Sequence, residues 1–435
     1  MVALTIATGA LAQTSGLKLE NLNRDVNPGD DFYEFACGGW MKNNPLKPEY
    51  ASFGSFNTLE ELNNERIRDI IETMAGQKNE KGSVAQKVGD LYTLYMDSAR
   101  QNKEGVKPVM ADIERIGAVK TKKQYMSLIN QMNREGVSFG ELWEYYLGAD
   151  MMSSTENLLD ISQGGYTIDR DYYVEQDEAH KNILDAYRHH VKKMFMLIGL
   201  NESEAEAKMK NVVALETRMA KAGKPNVELR DPGSNYNKMS FADFVKEYDG
   251  FDWKKYFDTI GLTNIDYLSV GQPNALAEAM KVIKEEKLEV LKDAMQWSVL
   301  NSAANILGDE VYAEHFDFNY RVMSGTQQPK PRWKRSVNAV NGVLGEAVGQ
   351  LYVQKYFPAV NKERMEKLVR NLQKALGERI DAQEWMSDST KAAAHEKLDA
   401  FYVKIGYPDK WRDYSSMTID LSKSLYENRK EISKW

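Results

Sequence analysis

The chain has 435 residues, of which 42% are apolar and 28% are charged, and its formal net charge at pH 7 is −7. This composition is typical of a folded globular protein with more than one hydrophobic core, and it excludes a largely disordered chain. The 57 basic residues are outnumbered by 64 acidic ones and form no dense block, so nucleic-acid binding is disfavoured.

The chain opens with a short apolar run, Met1 to Ala12, that ends in Ala10-Leu11-Ala12. Signal peptidase cleaves after this small-x-small pattern, so residues 1–14 are predicted to be a signal-peptide remnant, with a disordered tail as the alternative. Export to the periplasm, the cell surface or the extracellular space is therefore expected. No later stretch approaches the roughly 18 consecutive apolar residues of a membrane-spanning helix. The single cysteine, Cys37, can form no internal disulfide.

Helical periodicity dominates the rest of the chain. In the first long segment, apolar residues recur at three- and four-residue steps: Leu59, Leu62, Ile67, Ile70, Ile71 and Met74. The same pattern predicts helices over 84–102, 125–134, 179–198, 202–222, 276–307, 334–356, 362–386 and 388–403. Ser387 and Asn201 stand where helix caps belong. Strand-like alternation is best at residues 158–162, so the sequence predicts a mostly α architecture with few short strands.

Four segments rich in Gly, Pro, Asn or Ser are predicted to be irregular joints or functional loops: 27–56, 164–170, 223–237 and 324–331.

The most suggestive chemical pattern is His395-Glu396-Lys397-Leu398-Asp399. A histidine and a glutamate followed by a ligand four residues after the histidine is how a helix presents zinc and its general base. The second histidine is missing, and no histidine follows Asp399, so two conventional donors are too few for a three-ligand site. We expect Lys391, His395 and Asp399 to line the solvated side of an amphipathic helix.

The other candidate residues are predicted to be structural. His180, His189 and His190 lie in a charged run typical of a solvated helix surface, and His315 stands among aromatic residues, where a histidine is usually packed and hydrogen-bonded. Cys37 has no neighbouring histidine or cation that would activate a thiol.

One segment is specific enough to indicate a family. Residues 27–40, Asn-Pro-Gly-Asp-Asp-Phe-Tyr-Glu-Phe-Ala-Cys-Gly-Gly-Trp, resemble the opening motif of the neprilysin and endothelin-converting-enzyme family of zinc peptidases, peptidase family M13. The resemblance continues in order through 54–56, 170–173, 229–231, 236–237, 333–335, 349–353, 385–386 and 404–411. It covers roughly residues 17–435.

The resemblance implies the family's amino-terminal portion. The family's Asn-Ala-x-Tyr, His-Glu-x-x-His and Glu-x-x-x-Asp motifs do not occur here. We therefore expect no catalytic residue, no metal ligand and no bound cofactor in this chain, with zinc expected for the complete enzyme. The implied organisation is an opening segment, 15–57, that packs on a missing carboxyl-terminal catalytic domain, and a multi-helix, non-catalytic lid lobe, 58–435, truncated before that domain. Together they would form a chamber that admits oligopeptides and excludes folded proteins.

Two positions depart from the family pattern. Ser52 lies in the loop where mammalian members have an arginine that contacts the far end of the substrate, so Ser52 and Phe53 are the substrate-binding residues implied by family position, without that charge. Gly29 replaces a cysteine of the animal members, and the residue corresponding to Cys37 pairs there with a cysteine near the carboxyl end.

Two other functions remain open from the sequence. The first is a stand-alone helical peptide-binding or interaction module without turnover. The second is an unorthodox metalloenzyme that uses His395, Glu396 and Asp399.

Overall fold

The computed structural model describes residues 18–435, and the predicted signal-peptide remnant at residues 1–14 lies outside the described residues. The chain is mostly α with a small sheet, as the sequence predicts. It divides into two compact units. One contains the described residues up to Leu62 together with Thr326–Gln328, and the other contains Asn63–Gly325 and Pro329–Trp435. No helix of residues 18–435 has both the length and the apolar character needed to cross a membrane.

The first unit contains a helix that the sequence prediction missed. A 3-10 helix, Leu19–Asn21, precedes α1 (Phe32–Asn43), and α2 (Ser55–Ala75) begins in this unit. The prediction of an irregular segment over 27–56 was therefore wrong for residues 32–43. The helix was not predicted because it contains the pair Gly38-Gly39, and glycine disfavours helix interiors. Glycine is needed at position 39 because a Cβ there would lie 2.8 Å from the carbonyl carbon of Asn21.

The second unit begins with four helices after α2: α3 (Val84–Met96), α4 (Ser98–Glu104), α5 (Lys107–Gly117) and α6 (Lys122–Arg134). The helix predicted over 84–102 is interrupted at Asp97. The Asp97 side chain accepts a hydrogen bond from the backbone N of Arg100 (3.0 Å) and so starts a new helix.

A four-stranded sheet follows: β1 (Trp143–Asp150), β2 (Ser153–Gln163), β3 (Lys238–Ser240) and β4 (Tyr267–Val270). The strand order is β1-β2-β4-β3, with β2 parallel to β4 and the outer pairs antiparallel. Tyr145 pairs with Ile161, and Leu159 pairs with Leu268. The predicted strand at 158–162 lies in the carboxyl-terminal half of β2. The other strands were not predicted.

Eight helices follow β2 in the chain, with β3 and β4 among them: α7 (Arg170–Val174), α8 (Glu178–Leu197), α9 (Glu202–Ala222), α10 (Asn226–Leu229), α11 (Phe241–Glu247), α12 (Trp253–Thr259), α13 (Pro273–Glu285) and α14 (Leu288–Ala303). Asn201 caps α9 in a capping box, as predicted. The single helix predicted over 276–307 is two helices, because the backbone is extended at Glu286 and Lys287.

The remaining elements are a 3-10 turn (Ala304–Ile306), α15 (Asp309–Phe316), a π-helix (Asp317–Val322), α16 (Arg332–Val343), α17 (Gly345–Tyr356), α18 (Ala359–Asp381), α19 (Asp388–Asp399) and α20 (Leu425–Lys434). Leu344 breaks the helix predicted over 334–356. Ser387 caps α19 as predicted, by accepting a hydrogen bond from Thr390 N at 3.2 Å.

Helix α14 lies at the centre of the second unit's core. It packs against α5, α8 and α9, and Trp297 in its middle is fully buried. The Trp297 indole N–H donates to the Tyr187 hydroxyl at 2.8 Å and to Thr167 Oγ1 at 3.0 Å. These bonds satisfy the indole donor, so the ring can be buried without the cost of an unpaired polar group.

Candidate functional site

The predicted substrate-binding residues lie in the loop that precedes α2. Ser52 is exposed and Phe53 is half-buried. Phe53 stacks on Trp40 with ring centroids 6.2 Å apart and meets the Tyr50 ring edge-on at 5.2 Å. These aromatic contacts hold the loop in place and leave the Ser52 side chain facing solvent. Its role toward a substrate stays a prediction.

A positive charge does stand beside this loop. Lys47 Nζ lies 5.3 Å from the centre of the Phe53 ring and 3.2 Å from Glu61 Oε2. Because Glu61 balances its charge, Lys47 is not equivalent to the arginine of the mammalian proteins.

Helix α1 carries the aromatic motif of the opening segment on an open surface. Phe32 and Tyr33 are each 67% exposed, whereas Trp40 is half-buried against Phe53. Cys37 is an unpaired, half-buried cysteine. Phe32 and Tyr33 are therefore the candidate surface through which this segment is predicted to pack on a further domain.

The structure explains His395 without a metal. His395 Nε2 lies 2.7 Å from Asp381 Oδ1, at the end of α18, and Lys391 Nζ donates to the Asp381 carbonyl at 2.7 Å. Asp399 is exposed. Lys391 and His395 are partly exposed, in keeping with a solvated side of α19, and they also fasten α19 to the carboxyl end of α18. Lysine suits this position because the last carbonyls of a helix lack partners, whereas His395 bonds the carboxylate of Asp381.

The prediction of a solvated surface was wrong for His190. Its side chain is buried, stacks on Phe318 at 4.8 Å, and places Nδ1 at 2.9 Å from Glu314 Oε1. The helical period turns His190 inward while His189 stays exposed. His315 is packed and hydrogen-bonded as expected, with Asn319 Nδ2 at 3.1 Å from its Nδ1. Burial lowers the pKa of the His315 imidazole to about 4, so this ring is neutral at pH 7.

Among residues 18–435, no group of three or more His, Cys, Asp or Glu side chains is placed to hold a metal ion. The described residues therefore place no third donor beside His395 and Asp399.

Helix α18 presents an unusual apolar surface. Met365, Leu368, Leu372 and Leu376 follow each other at helical spacing and are each 42–61% exposed. In the whole helix only Gly377 is buried. Trp385, Phe401 and Tyr402, which flank α19, are also strongly exposed. We call Met365, Leu368, Leu372 and Leu376 the α18 apolar face.

A cavity of about 610 Å³ lies among β1, α6, α9 and α14. Its wall includes the 137–145 segment, whose backbone passes against α14 at Gly140. Gly140 has φ +66°, and a Cβ there would lie 2.6 Å from Ser298 Cβ, so only glycine fits. The sequence prediction missed this cavity, since its residues come from five separate parts of the chain and follow no recognised motif.

Two carboxyl groups in the cavity wall have raised pKa values. Burial raises the pKa of Glu216 to about 7, although Thr167, Tyr187 and Tyr173 donate hydroxyl hydrogen bonds to it. Burial likewise raises the pKa of Glu141, against the effect of hydrogen bonds from the Tyr256 hydroxyl and Asn133. All of these donors are neutral, so the protein supplies hydrogen bonds to both carboxylates but no bonded cation.

The chain matches the amino-terminal domain of Peptidase family M13 over residues 28–408. It is 26% identical to Neprilysin-3 of Drosophila melanogaster over 429 residues, and 26% identical to human endothelin-converting enzyme 1 over 419 residues. In each case the alignment covers 94% of this chain and 54% of the relative. The chain therefore spans about half the length of these relatives.

The fold is similar to that of a solved structure. Zinc metalloprotease Zmp1 of Mycobacterium tuberculosis, in complex with an inhibitor, superposes with a TM-score of 0.86 and 32% sequence identity. The superposition covers 97% of this chain and 65% of Zmp1.

Proposed function

The chain belongs to peptidase family M13, and from this premise we propose that it forms the helical, non-catalytic lobe of a zinc metalloendopeptidase that cleaves oligopeptides. Relatives extend well beyond the matched region, and Zmp1 is a zinc metalloprotease. The observation that carries the proposal is the α18 apolar face, because a helix with one exposed apolar stripe is built to pack against something else.

The α18 apolar face suits an intramolecular partner. Fully burying one large aliphatic side chain stabilises a protein by roughly 1.5–3 kcal/mol, so covering Leu368, Leu372 and Leu376 is a substantial contribution to docking. The proposed partner is a catalytic region of the kind that makes up the rest of the relatives. In this proposal zinc and all catalytic residues belong to that region, and this chain binds neither zinc nor another cofactor.

The proposed role of the lobe is to select substrates by size. A chamber closed by a rigid helical lobe admits an unfolded peptide freely, whereas a folded protein must first unfold, which costs about 5–15 kcal/mol. Ser52 and Phe53 would contact the peptide, on the loop that Trp40 and Tyr50 hold. Closure would also displace water from the reacting groups and strengthen their electrostatics.

The first test is activity of the purified chain. We expect no hydrolysis of a fluorogenic peptide, with or without added zinc, and no change on His395→Ala. Chelator-sensitive hydrolysis that His395→Ala abolishes would instead establish the unorthodox metalloenzyme. Calorimetry on the same sample tests the stand-alone binding module: measurable affinity for unfolded peptides, without any catalytic partner, favours that alternative.

The second test restores the proposed partner. In a chimera, this chain replaces the matched region of Zmp1, and cleavage is followed on a short peptide and on a folded protein that carries the same sequence. We expect cleavage of the peptide alone, and loss of activity on Leu372→Asp. Asn371→Asp, at an exposed position outside the α18 apolar face, adds the same single negative charge and is the matched control. Equal loss in both variants, or cleavage of the folded protein, contradicts the proposal.

We also propose that the protein is exported, on the strength of the Ala10-Leu11-Ala12 pattern. Mass spectrometry of the amino terminus after expression in a bacterial host tests this: a mature protein that begins at Gln13 supports export, and an uncleaved cytosolic protein contradicts it.

A further inference from the structure

The proposed function makes no use of the cavity among β1, α6, α9 and α14. Among the described residues that line it, three are glutamates, Glu141, Glu144 and Glu216, and none is Lys, Arg or His. A cleft lined by charges of one sign and walled by protein focuses the electrostatic potential, because the low-dielectric walls screen it poorly. The interior of this cavity therefore attracts positive charge.

The wall also offers acceptors that the described residues leave unused. Both hydrogen bonds to the Glu141 carboxylate, from Tyr256 and Asn133, end on Oε1, and no residue of 18–435 donates to Oε2. Asn301 Oδ1, on α14, is buried and likewise has no donor among these residues. A buried acceptor without a donor is costly, so Asn301 Oδ1, together with the accessible Oε2 of Glu141 on the same cavity wall, points to a ligand that donates hydrogen bonds.

The rest of the wall favours an organic cation. Five aromatic residues line the cavity: Tyr125, Phe139, Trp143, Tyr145 and Tyr166. Aromatic faces attract ammonium and guanidinium groups and pack against apolar chains. A chelated metal ion does not fit, because no three acidic, His or Cys groups of residues 18–435 converge on one point. The volume, about 610 Å³, is that of a small-molecule site.

We propose that this cavity binds a primary ammonium or guanidinium group carried on a short apolar chain, with the Glu141 carboxylate as its principal partner. The cation is either a free amine or the side chain of a lysine or arginine in a peptide. The site is independent of the proposed peptidase role, since it needs no catalytic region.

Calorimetry on the purified chain at about pH 8 tests the site, with cadaverine and agmatine as probes and pentanediol as the neutral control. We expect the amines to bind and pentanediol not to bind. Glu141→Gln removes the charge but keeps an acceptor for Tyr256, and it should weaken binding roughly tenfold or more, the usual effect of losing a charge-assisted hydrogen bond. Glu175→Gln, an exposed position outside the cavity, makes the same change in net charge and should have no effect.

A second variant changes affinity in the opposite direction. Asn301→Asp adds a negative charge to the wall and should tighten binding of both amines. Tighter binding cannot result from a damaged fold, so this variant decides the matter even if Glu141→Gln unfolds the protein. Absence of binding by the wild type at about 10 mM amine, equal binding of pentanediol, or unchanged affinity in both variants overturns the proposal.

The source of the cation is decided by two further titrations. Acetyl-Gly-Arg-Gly-amide and acetyl-Gly-Lys-Gly-amide carry the same groups on a peptide backbone. Tighter binding of these peptides than of cadaverine and agmatine assigns the site to basic side chains, and the reverse assigns it to free amines. Failure of this site leaves the peptidase proposal untouched, because the chimera described above depends on the α18 apolar face.

Discussion

Helices α14 and α18 show how differently one chain uses two amphipathic helices. In α14, residues on every side are buried, including Lys292 and Asp293, and Trp297 is enclosed by α8 and α9. In α18, the longest helix of residues 18–435, only Gly377 is buried and the apolar stripe faces solvent.

This difference shows that the elements packed around a helix decide how much of it is buried. The pattern of apolar residues along the helix does not decide it alone. The buried Asp293 of α14 has partners: it pairs with Lys208 and accepts a hydrogen bond from Asn211 at 2.7 Å. The apolar side chains of α18 have few contacts within the described chain. Its known attachments include Lys391 and His395 at one end, and Lys362 with Asp409 (2.7 Å) at the other. The two helices should therefore respond very differently to substitution.

The largest effect is expected at the centre of α14. Trp297→Ala would leave a large void and remove the donor to Tyr187 and Thr167, so the free energy of unfolding should fall by roughly 3–5 kcal/mol. Urea denaturation followed by circular dichroism measures this change. A loss of less than about 1 kcal/mol would mean that α14 is not the core of its unit.

The next largest effect is a pH dependence at Glu216, which α9 places in the cavity wall beside α14. Its pKa is about 7 in the folded protein, against an ordinary value of 4.5. The folded state therefore keeps this proton up to a higher pH than the unfolded state does. The resulting stabilisation is complete below pH 4.5 and is lost as the pH rises through 7. Between these limits, wild type should lose roughly 3 kcal/mol of unfolding free energy relative to Glu216→Gln.

Denaturant titrations of both proteins at several pH values measure this difference. Parallel stability curves for wild type and Glu216→Gln would show that the carboxyl group titrates normally in the folded protein.

A smaller effect is expected where α19 holds α18. His395→Ala removes the contact with Asp381, but both side chains are substantially exposed, so the loss should be below about 1 kcal/mol. Thermal unfolding at low and high salt measures it, with Lys397→Ala on the exposed side of α19 as control. A loss of several kcal/mol would place His395 in an essential structural or metal site.

The smallest effect on stability is expected on the α18 apolar face itself. Leu372 is 61% exposed, so Leu372→Asp should change the unfolding free energy of the isolated chain by no more than about 0.5 kcal/mol. In the Zmp1 chimera the same substitution should abolish activity. A large destabilisation of the isolated chain would show that this face is already covered and would remove the main support for the docking proposal.

The sequence predicted most helices because amphipathic periodicity is a local signal. Residues 202–222 are helical as predicted, and Asn201 and Ser387 cap their helices. The breaks at Asp97, Lys287 and Leu344 were missed, although Asp97 is itself a cap residue that could have been recognised. Strand β1 was missed because its residues from Glu144 to Leu147 are exposed on both faces of the sheet. They therefore show no alternation of apolar and polar side chains. The motif at residues 27–40 was enough to indicate the family.

The sequence by itself determined most of the long helical segments and which family the chain belongs to, because periodicity and short motifs are carried by neighbouring residues. Only the tertiary structure decided that His190 is buried, that His395 fastens two helices together, and that Glu141, Glu216 and Asn301 share one cavity. These facts depend on residues far apart in the chain meeting in space, and the partners of a side chain, not its own type, set its burial, its charge and its pKa.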